Sequence, residues 1–130
     1  MTEAEFKTKI YRRVSPYCYV QAMADRLRPG VPDHWYSGPK ADLWVEYKVC
    51  ARPRAKTVTP NLSKPQRVWL AGRHREGRQV WAVVGLTQAN CACLVFKNGE
   101  WDEPKAVTEA VLFSEYTDEL LEAVGVISWN

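Results

Sequence analysis

Two carboxylates and a lysine stand at a spacing that could do chemistry on phosphate esters. Asp33 follows a proline, and Glu46 lies thirteen residues further on, with Lys48 two residues beyond it. Alternate side chains of a strand share a face, so Glu46 and Lys48 should lie side by side within reach of Asp33 on a neighbouring strand. Mg²⁺ binds to one or two carboxylates and keeps several waters. With a lysine to hold a phosphate oxygen or help to activate water, the set predicts metal-assisted hydrolysis of phosphodiesters.

The Glu-x-Lys triplet is weak evidence without its context. Three copies occur, at 5–7, 46–48 and 103–105, against roughly half a copy expected by chance. The first lies in a helical pattern and the third contains a proline, so the middle copy alone stands in a strand. Asp42 shares the face of Glu46, but four residues of strand separate the two by about 13 Å, too far to share an ion.

The hydrophobic pattern predicts the elements that would position these residues. Period-two alternation with β-branched and aromatic residues indicates strands, and apolar residues at helical spacing indicate helices. The predicted elements are a helix 3–14, strands 17–23, 31–37 and 42–50, a polar loop 51–61, a helix from residue 63 to about 76, strands 79–86 and 91–97, and a helical region 106–124. The order α-β-β-β-α-β-β-α is typical of a mixed central sheet flanked by helices.

Several polar residues have an ordinary structural explanation. Ser63 followed by Gln66 is the capping-box arrangement that begins a helix. Thr117 could cap a second piece of the last helical region. His34 and His74 are isolated and are expected in turns or on the surface. These residues take part in catalysis only if the fold brings them to the carboxylates.

Composition restricts the class of protein. A chain of 130 residues with 46% hydrophobic and 25% charged residues suits one globular domain. No apolar run approaches the roughly 18 residues of a membrane span, and the charged N-terminus is unlike a signal peptide. The four cysteines show no C-x-x-C spacing, so reduced thiols are expected in place of a zinc site. We expect a cytoplasmic protein without membrane contact.

The charges are unevenly distributed along the chain. Residues 47–80 carry nine Lys or Arg against one acid, and residues 99–130 carry eight acids against one base. A basic middle suggests a face that meets an anion, although a solvated surface is the plainer explanation. The candidate DNA contacts lie in the loop after the third strand and on the second helix: Arg52, Arg54, Lys56, Lys64 and Arg67.

Three motifs together resemble the PD-(D/E)xK nuclease superfamily. They are GVPD at 30–33, EYK at 46–48 and LSKPQRVWL at 62–70. The last, read as Ser-x-x-Gln-x-x-Trp on a helix, is similar to the VRR-NUC and archaeal Holliday-junction-resolvase branch. A stand-alone domain of this size resembles the phage-encoded members of that branch. The resemblance covers about residues 3–85 and implies a restriction-endonuclease-like α/β core.

The resemblance also implies a role for each motif residue. Asp33 and Glu46 would bind Mg²⁺ or Mn²⁺, helped by the backbone carbonyl of Tyr47. Lys48 would position or deprotonate the attacking water. Gln66 would support the site or contact the scissile strand.

The family often adds a glutamate from the first helix, followed by apolar residues three and seven positions later. Glu3, with Phe6 and Ile10, fits that spacing, whereas Glu5 lies on another face. Glu3 is therefore the fourth expected metal ligand.

The function implied is a metal-dependent endodeoxyribonuclease that leaves 5′-phosphate and 3′-hydroxyl ends. Branched DNA, such as a four-way junction, is the expected substrate, and a homodimer would match its two symmetric scissile sites. The chain would be one domain over 1–130, with a core at about 3–97 and an acidic helical tail at about 98–130, in the host cytoplasm if phage-encoded. The alternative is a non-catalytic nucleic-acid-binding or nuclease-modulating protein that keeps the fold, which the intact motif argues against.

Overall fold

A computed structural model describes residues 1–23 and 28–127. Its helices are α1 (Glu3–Val14), α2 (Lys64–Arg75) and α3 (Phe113–Ala123). Its strands are β1 (Tyr19–Ala22), β2 (His34–Ser37), β3 (Asp42–Cys50), β4 (Thr57–Val58), β5 (Val80–Leu86), β6 (Ala92–Lys97) and β7 (Lys105–Ala106). Short 3₁₀ helices span Glu100–Asp102 and Val107–Glu109.

Five strands form the central sheet in the order β1-β2-β3-β5-β6. The pair β3–β5 is parallel, and the other three pairs are antiparallel. A parallel pair needs a crossover connection, which here contains α2. The predicted mixed α/β sheet and the order of its main elements are confirmed. The small sheet that β4 forms with β7 was not predicted.

Helices cover both faces of the sheet. Phe6 of α1 and Tyr116 of α3 pack with Val45 and Tyr47 of β3 on one face. Leu70 of α2 belongs to a second buried cluster on the other face. Because residues of a strand alternate between faces, Glu46 points away from Val45 and Tyr47 and toward the α2 side.

The first helix begins with the capping box expected for a stable N-terminus. Thr2 accepts a hydrogen bond from the backbone of Glu5, whose side chain accepts from the backbone of Thr2. Phe6 and Ile10 are fully buried, as predicted. A Cβ added at Gly85 of β5 would lie 2.5 Å from the Phe6 ring, so glycine there lets α1 pack closely on the sheet.

Several predicted boundaries were wrong. The first strand is shorter than 17–23, and β2 begins at His34, so Asp33 precedes the strand. The last helix begins at Phe113, because residues 98–112 form turns, 3₁₀ helices and β7. Thr117 is buried inside α3 and donates to the Ser114 carbonyl, so it caps nothing.

The acidic segment is packed into the fold. Trp101 joins the second buried cluster, and α3 contributes to the first. The predicted helical tail is therefore helical only in part, and its residues 128–130 lie outside the described ranges. His34 is buried, contrary to the surface position expected from its isolation, whereas His74 is exposed. The four cysteines are free thiols.

Across residues 1–23 and 28–127, every helix is too short or too polar to span a membrane.

Candidate active site

The candidate site lies where β2 begins and β3 continues past it. The last β2–β3 pair is His34 with Val45, and beyond it β3 is paired with β5. Continuing the antiparallel register places Asp33 opposite Glu46. The Asp33 carboxylate acts in place of a backbone carbonyl of the neighbouring strand, because its Oδ2 accepts a hydrogen bond from the backbone N–H of Tyr47 at 2.8 Å. Asp33 is thereby held at the edge of β3.

Close packing at Gly30 joins the loop before Asp33 to helix α2. Gly30 has a φ of 92°, a conformation that favours glycine. A Cβ at this position would lie 2.2 Å from the carbonyl oxygen of Pro65. The glycine of the GVPD motif is thus required by packing, and it holds the Asp33 loop against the first turn of α2.

The side chain of Gln66 connects the cap of α2 to the site. Its Oε1 accepts from the backbone N–H of Ser63 at 2.9 Å, and its Nε2 donates to Glu46 Oε2 at 3.0 Å. Ser63 Oγ accepts in return from the Gln66 backbone N–H at 3.2 Å. Gln66 therefore caps α2 and contacts Glu46 with the same side chain.

Three predicted residues form a carboxylate cluster. One oxygen each from Glu3, Asp33 and Glu46 lie within 4.8 Å of one another. Glu46 is 3% exposed, whereas the Asp33 and Glu3 side chains are 20% and 40% exposed. The Nζ of Lys48 lies 3.7 Å from Glu46 Oε2. The structure brings together the carboxylates and the lysine that the motifs predicted.

The electrostatics of the cluster fit a bound divalent cation. Burial, and then the negative charge of Asp33, raises the pKa of Glu46 to about 8, and Lys48 partly opposes the shift. A buried carboxylate beside two others is unfavourable as an anion unless a positive charge is near. Mg²⁺ and Mn²⁺ prefer oxygen ligands and would supply that charge.

Lys7 is a site residue that the sequence reasoning missed. It lies one turn after Glu3 on α1, and its Nζ is 3.1 Å from Asp33 Oδ1 and 3.9 Å from Glu3 Oε1. The Glu-x-Lys triplet that it forms with Glu5 lies in a helix, so the strand context of the motif does not indicate it. The signal that could have found Lys7 is its i, i+4 spacing from Glu3, which places both on one helix surface.

A buried chain of hydroxyl groups lies behind the site. His34 Nδ1 is 2.8 Å from the Tyr36 hydroxyl, which is 2.8 Å from the Tyr47 hydroxyl. The Tyr47 hydroxyl is 2.5 Å from that of Tyr116 on α3. Burial lowers the pKa of His34. The chain runs from His34 and Tyr47, the neighbours of Asp33 and Glu46, to α3, so it ties the start of β2 and the middle of β3 to that helix.

The predicted DNA contacts lie on the surface. Arg52, Arg54, Lys56 and Lys64 are exposed. Arg67 forms an ion pair with Asp102, so its guanidinium already has an acidic partner from the C-terminal segment. The position of Asp42 agrees with its exclusion, since it is exposed and accepts from Ser37 Oγ at 2.7 Å.

The mixed five-stranded sheet with helices on both faces is a restriction-endonuclease-like α/β fold. No family model matches the sequence, and no curated protein matches it. Among solved structures, the chain is similar to Hjc of Archaeoglobus fulgidus, a Holliday junction resolvase from an archaeal hyperthermophile. The TM-score is 0.60 and the sequence identity 17%, over 88% of this chain and 98% of that chain. At this identity the likeness shows the fold alone.

Proposed function

We propose that this protein is a metal-dependent endodeoxyribonuclease that hydrolyses phosphodiester bonds in branched DNA. The observation that carries the proposal is the cluster of Glu3, Asp33 and Glu46, with the Lys48 ammonium 3.7 Å from Glu46. Three carboxylates can hold a divalent cation, and that cation would act with the lysine to stabilise charge at a phosphate.

The metal ligands would be Glu3, Asp33, Glu46 and the backbone carbonyl of Tyr47. When bound there, Mg²⁺ or Mn²⁺ would neutralise charge on the phosphate and lower the pKa of a bound water. Asp33 is oriented by the Tyr47 backbone N–H, and Glu46 is oriented by the Gln66 amide. The ligands would thus be held in place before the ion arrives.

The remaining roles belong to polar and basic side chains near the cluster. The Lys48 ammonium would position the attacking water or stabilise the phosphate oxygen that gains charge. Gln66 would keep the Glu46 carboxylate aimed at the ion. Exposed Arg52, Arg54 and Lys56 would bind the DNA backbone, as Lys and Arg do in sequence-independent contacts.

The substrate is inferred from the fold and the motifs. Hjc is named as a Holliday junction resolvase, and the GVPD, EYK and Ser-x-x-Gln motifs resemble the same branch. A junction offers two scissile strands related by two-fold symmetry, which a homodimer would match. The proposal includes cleavage that leaves 5′-phosphate and 3′-hydroxyl ends. It also includes a cytoplasmic location and membership of the VRR-NUC branch, with a phage origin.

Cleavage of a four-way junction and of a supercoiled plasmid, with Mg²⁺, with Mn²⁺ or with a chelator, tests the proposal. Wild-type protein should cut the junction in either metal and not in the chelator. Glu46→Gln should abolish cutting, whereas Asp42→Asn, an exposed carboxylate on the same strand, should retain it. Junction binding without cleavage under all conditions would favour the non-catalytic alternative.

A further inference from the structure

Lys7 engages one of the two oxygens of the Asp33 carboxylate. The Asp33 Oδ2 is engaged by the backbone N–H of Tyr47, a fixed donor of the sheet. The other oxygen, Oδ1, accepts from the Lys7 ammonium at 3.1 Å. A lysine ammonium is a mobile charge on a four-carbon stem, so it can leave while the backbone donor stays.

The net charge at the site becomes positive when a divalent ion binds. The carboxylates of Glu3, Asp33 and Glu46, when ionised, face the ammonium groups of Lys7 and Lys48. The positive groups do not outnumber the carboxylates, so the metal-free site has no net positive charge to attract a phosphodiester. A divalent cation gives the site a net positive charge, which does attract it.

The displaced ammonium has space to move into. A cavity of about 290 Å³ lies between α1 and the first two strands, and Lys7, Tyr11, Met23 and Asp33 are among its lining residues. Tyr11 is 48% exposed, so the cavity, which Asp33 also lines, is open to solvent. A nucleic acid strand passing there would place a phosphate near Lys7.

We propose that Lys7 is the internal counter-cation of the metal-free site, displaced from Asp33 by the divalent ion and then available to bind a phosphate of the DNA. This inference rests on the proposed function, because it concerns the same carboxylates. It makes Lys7 a residue that weakens metal binding and strengthens DNA binding, and an ion pair with a structural role alone would not strengthen DNA binding.

Calorimetric titration of the full chain with Mn²⁺, without DNA, tests the first half. Lys7→Met should bind Mn²⁺ more tightly by roughly tenfold, because a positive charge beside the ligands has been removed. Lys7→Arg keeps the charge and should bind near the wild-type level. Lys9→Met is the control, since Lys9 lies on the same helix with its ammonium 4.4 Å from the Phe113 ring centre.

DNA binding tests the second half in a background that does not cut. At saturating Mn²⁺, Lys48→Ala with Lys7→Met should bind a fluorescent four-way junction more weakly than Lys48→Ala alone. The slope of log affinity against log salt should fall by about 0.9, the value for one lost phosphate contact in duplex DNA. Lys9→Met in the same background should not change the slope.

The outcomes separate this inference from the proposed function. Wild-type protein that binds no Mn²⁺ would overturn both. Wild-type binding with an unchanged or weaker affinity in Lys7→Met would overturn the counter-cation alone. Tighter metal binding with an unchanged salt slope would overturn the phosphate contact.

Discussion

The Nε2 of Gln66 lies 3.0 Å from the Oε2 of Glu46, so the first turn of α2 meets the middle of β3 at one carboxylate. The same glutamine side chain caps its helix through Ser63. This double use makes the residue difficult to interpret by simple truncation, because loss of the cap and loss of the contact to Glu46 would occur together.

Gln66→Glu separates the two roles. Glutamate at this position preserves the capping box, but it cannot donate to Glu46 and places a further negative charge beside it. We expect the cleavage rate to fall by at least tenfold while the melting temperature stays within a few degrees of wild type. Gln66→Ala, which loses both roles, should lower the rate and the stability. Wild-type cleavage by Gln66→Glu would restrict the residue to capping.

Metal-free stability should depend on pH through Glu46. Its pKa in the folded protein is about 8, against about 4.3 for an unfolded chain. Between these values the folded state binds a proton that the unfolded state has lost, so stability contributed by the neutral carboxyl declines as pH rises from about 4.5 to 8.

Urea unfolding in a chelator measures this dependence. Glu46→Gln lacks the titration and should become more stable than wild type with rising pH, by a few kcal/mol at most, since one pKa unit corresponds to about 1.4 kcal/mol. Added Mn²⁺ should reverse the difference, because the ion stabilises the protein that binds it. If the free energy of unfolding depended on pH in the same way for both proteins, the raised pKa of Glu46 would be contradicted.

Lys48→Ala should lower the cleavage rate by two or more orders of magnitude, the scale of losing a positioned acid–base or charge-stabilising group. Calorimetry should show that Mn²⁺ binding is retained, because Lys48 is not a ligand. Lys97→Ala, which removes a surface ammonium paired with Glu119, should be silent in both measurements. Loss of Mn²⁺ binding in Lys48→Ala would show that Lys48 is needed for metal binding, contrary to the role proposed for it.

Replacing Arg52, Arg54 and Lys56 together by Ala should weaken binding to all DNA sequences. Each lost phosphate contact reduces the salt slope by roughly 0.9 for duplex DNA. Fluorescence anisotropy over a series of salt concentrations measures it. An unchanged slope would mean that the loop is only solvated and that the DNA lies elsewhere, with the matched triple replacement of Arg73, Arg75 and Arg78 as the next test.

Glu3→Gln and Glu5→Gln form a matched pair on one helical turn. Glu3 belongs to the carboxylate cluster, so its replacement should cut activity strongly. Glu5 faces solvent and caps α1, and glutamine can serve equally in a capping box, so that variant should be nearly silent. Activity assays at saturating Mn²⁺ with both proteins decide the matter. Two silent variants would leave Glu3 out of the site.

Much of this arrangement could be predicted because local signals agreed with the tertiary fold. The alternation in β3 placed Val45 and Tyr47 in a core, and the Ser63 to Gln66 spacing began α2 correctly. The face of α1 followed from Phe6 and its helical neighbours. In each case a sequence pattern that spans several neighbouring residues indicated the local structure.

The wrong or absent predictions have two causes: some elements are very short, and some positions depend on tertiary contacts. The strands β4 and β7 have two residues each, too few for any periodicity to show. Thr117 has the residue type of a helix cap, but burial against the core decided its place inside α3. Lys7 shares a helix surface with Glu3, but its contact with Asp33 joins residues 26 positions apart and depends on the tertiary fold.

The candidate ligands and their glutamine partner all lie within residues 3–66, yet the support for β3 comes from later in the chain. Its parallel neighbour is residues 80–86, and the Tyr47 hydroxyl pairs with that of Tyr116. A nascent chain leaving the ribosome therefore exposes every carboxylate before the strand and helix that fix their spacing have been made. Competence to bind an ion should arise only late in synthesis, so the proposed nuclease activity would appear only once the sheet is complete.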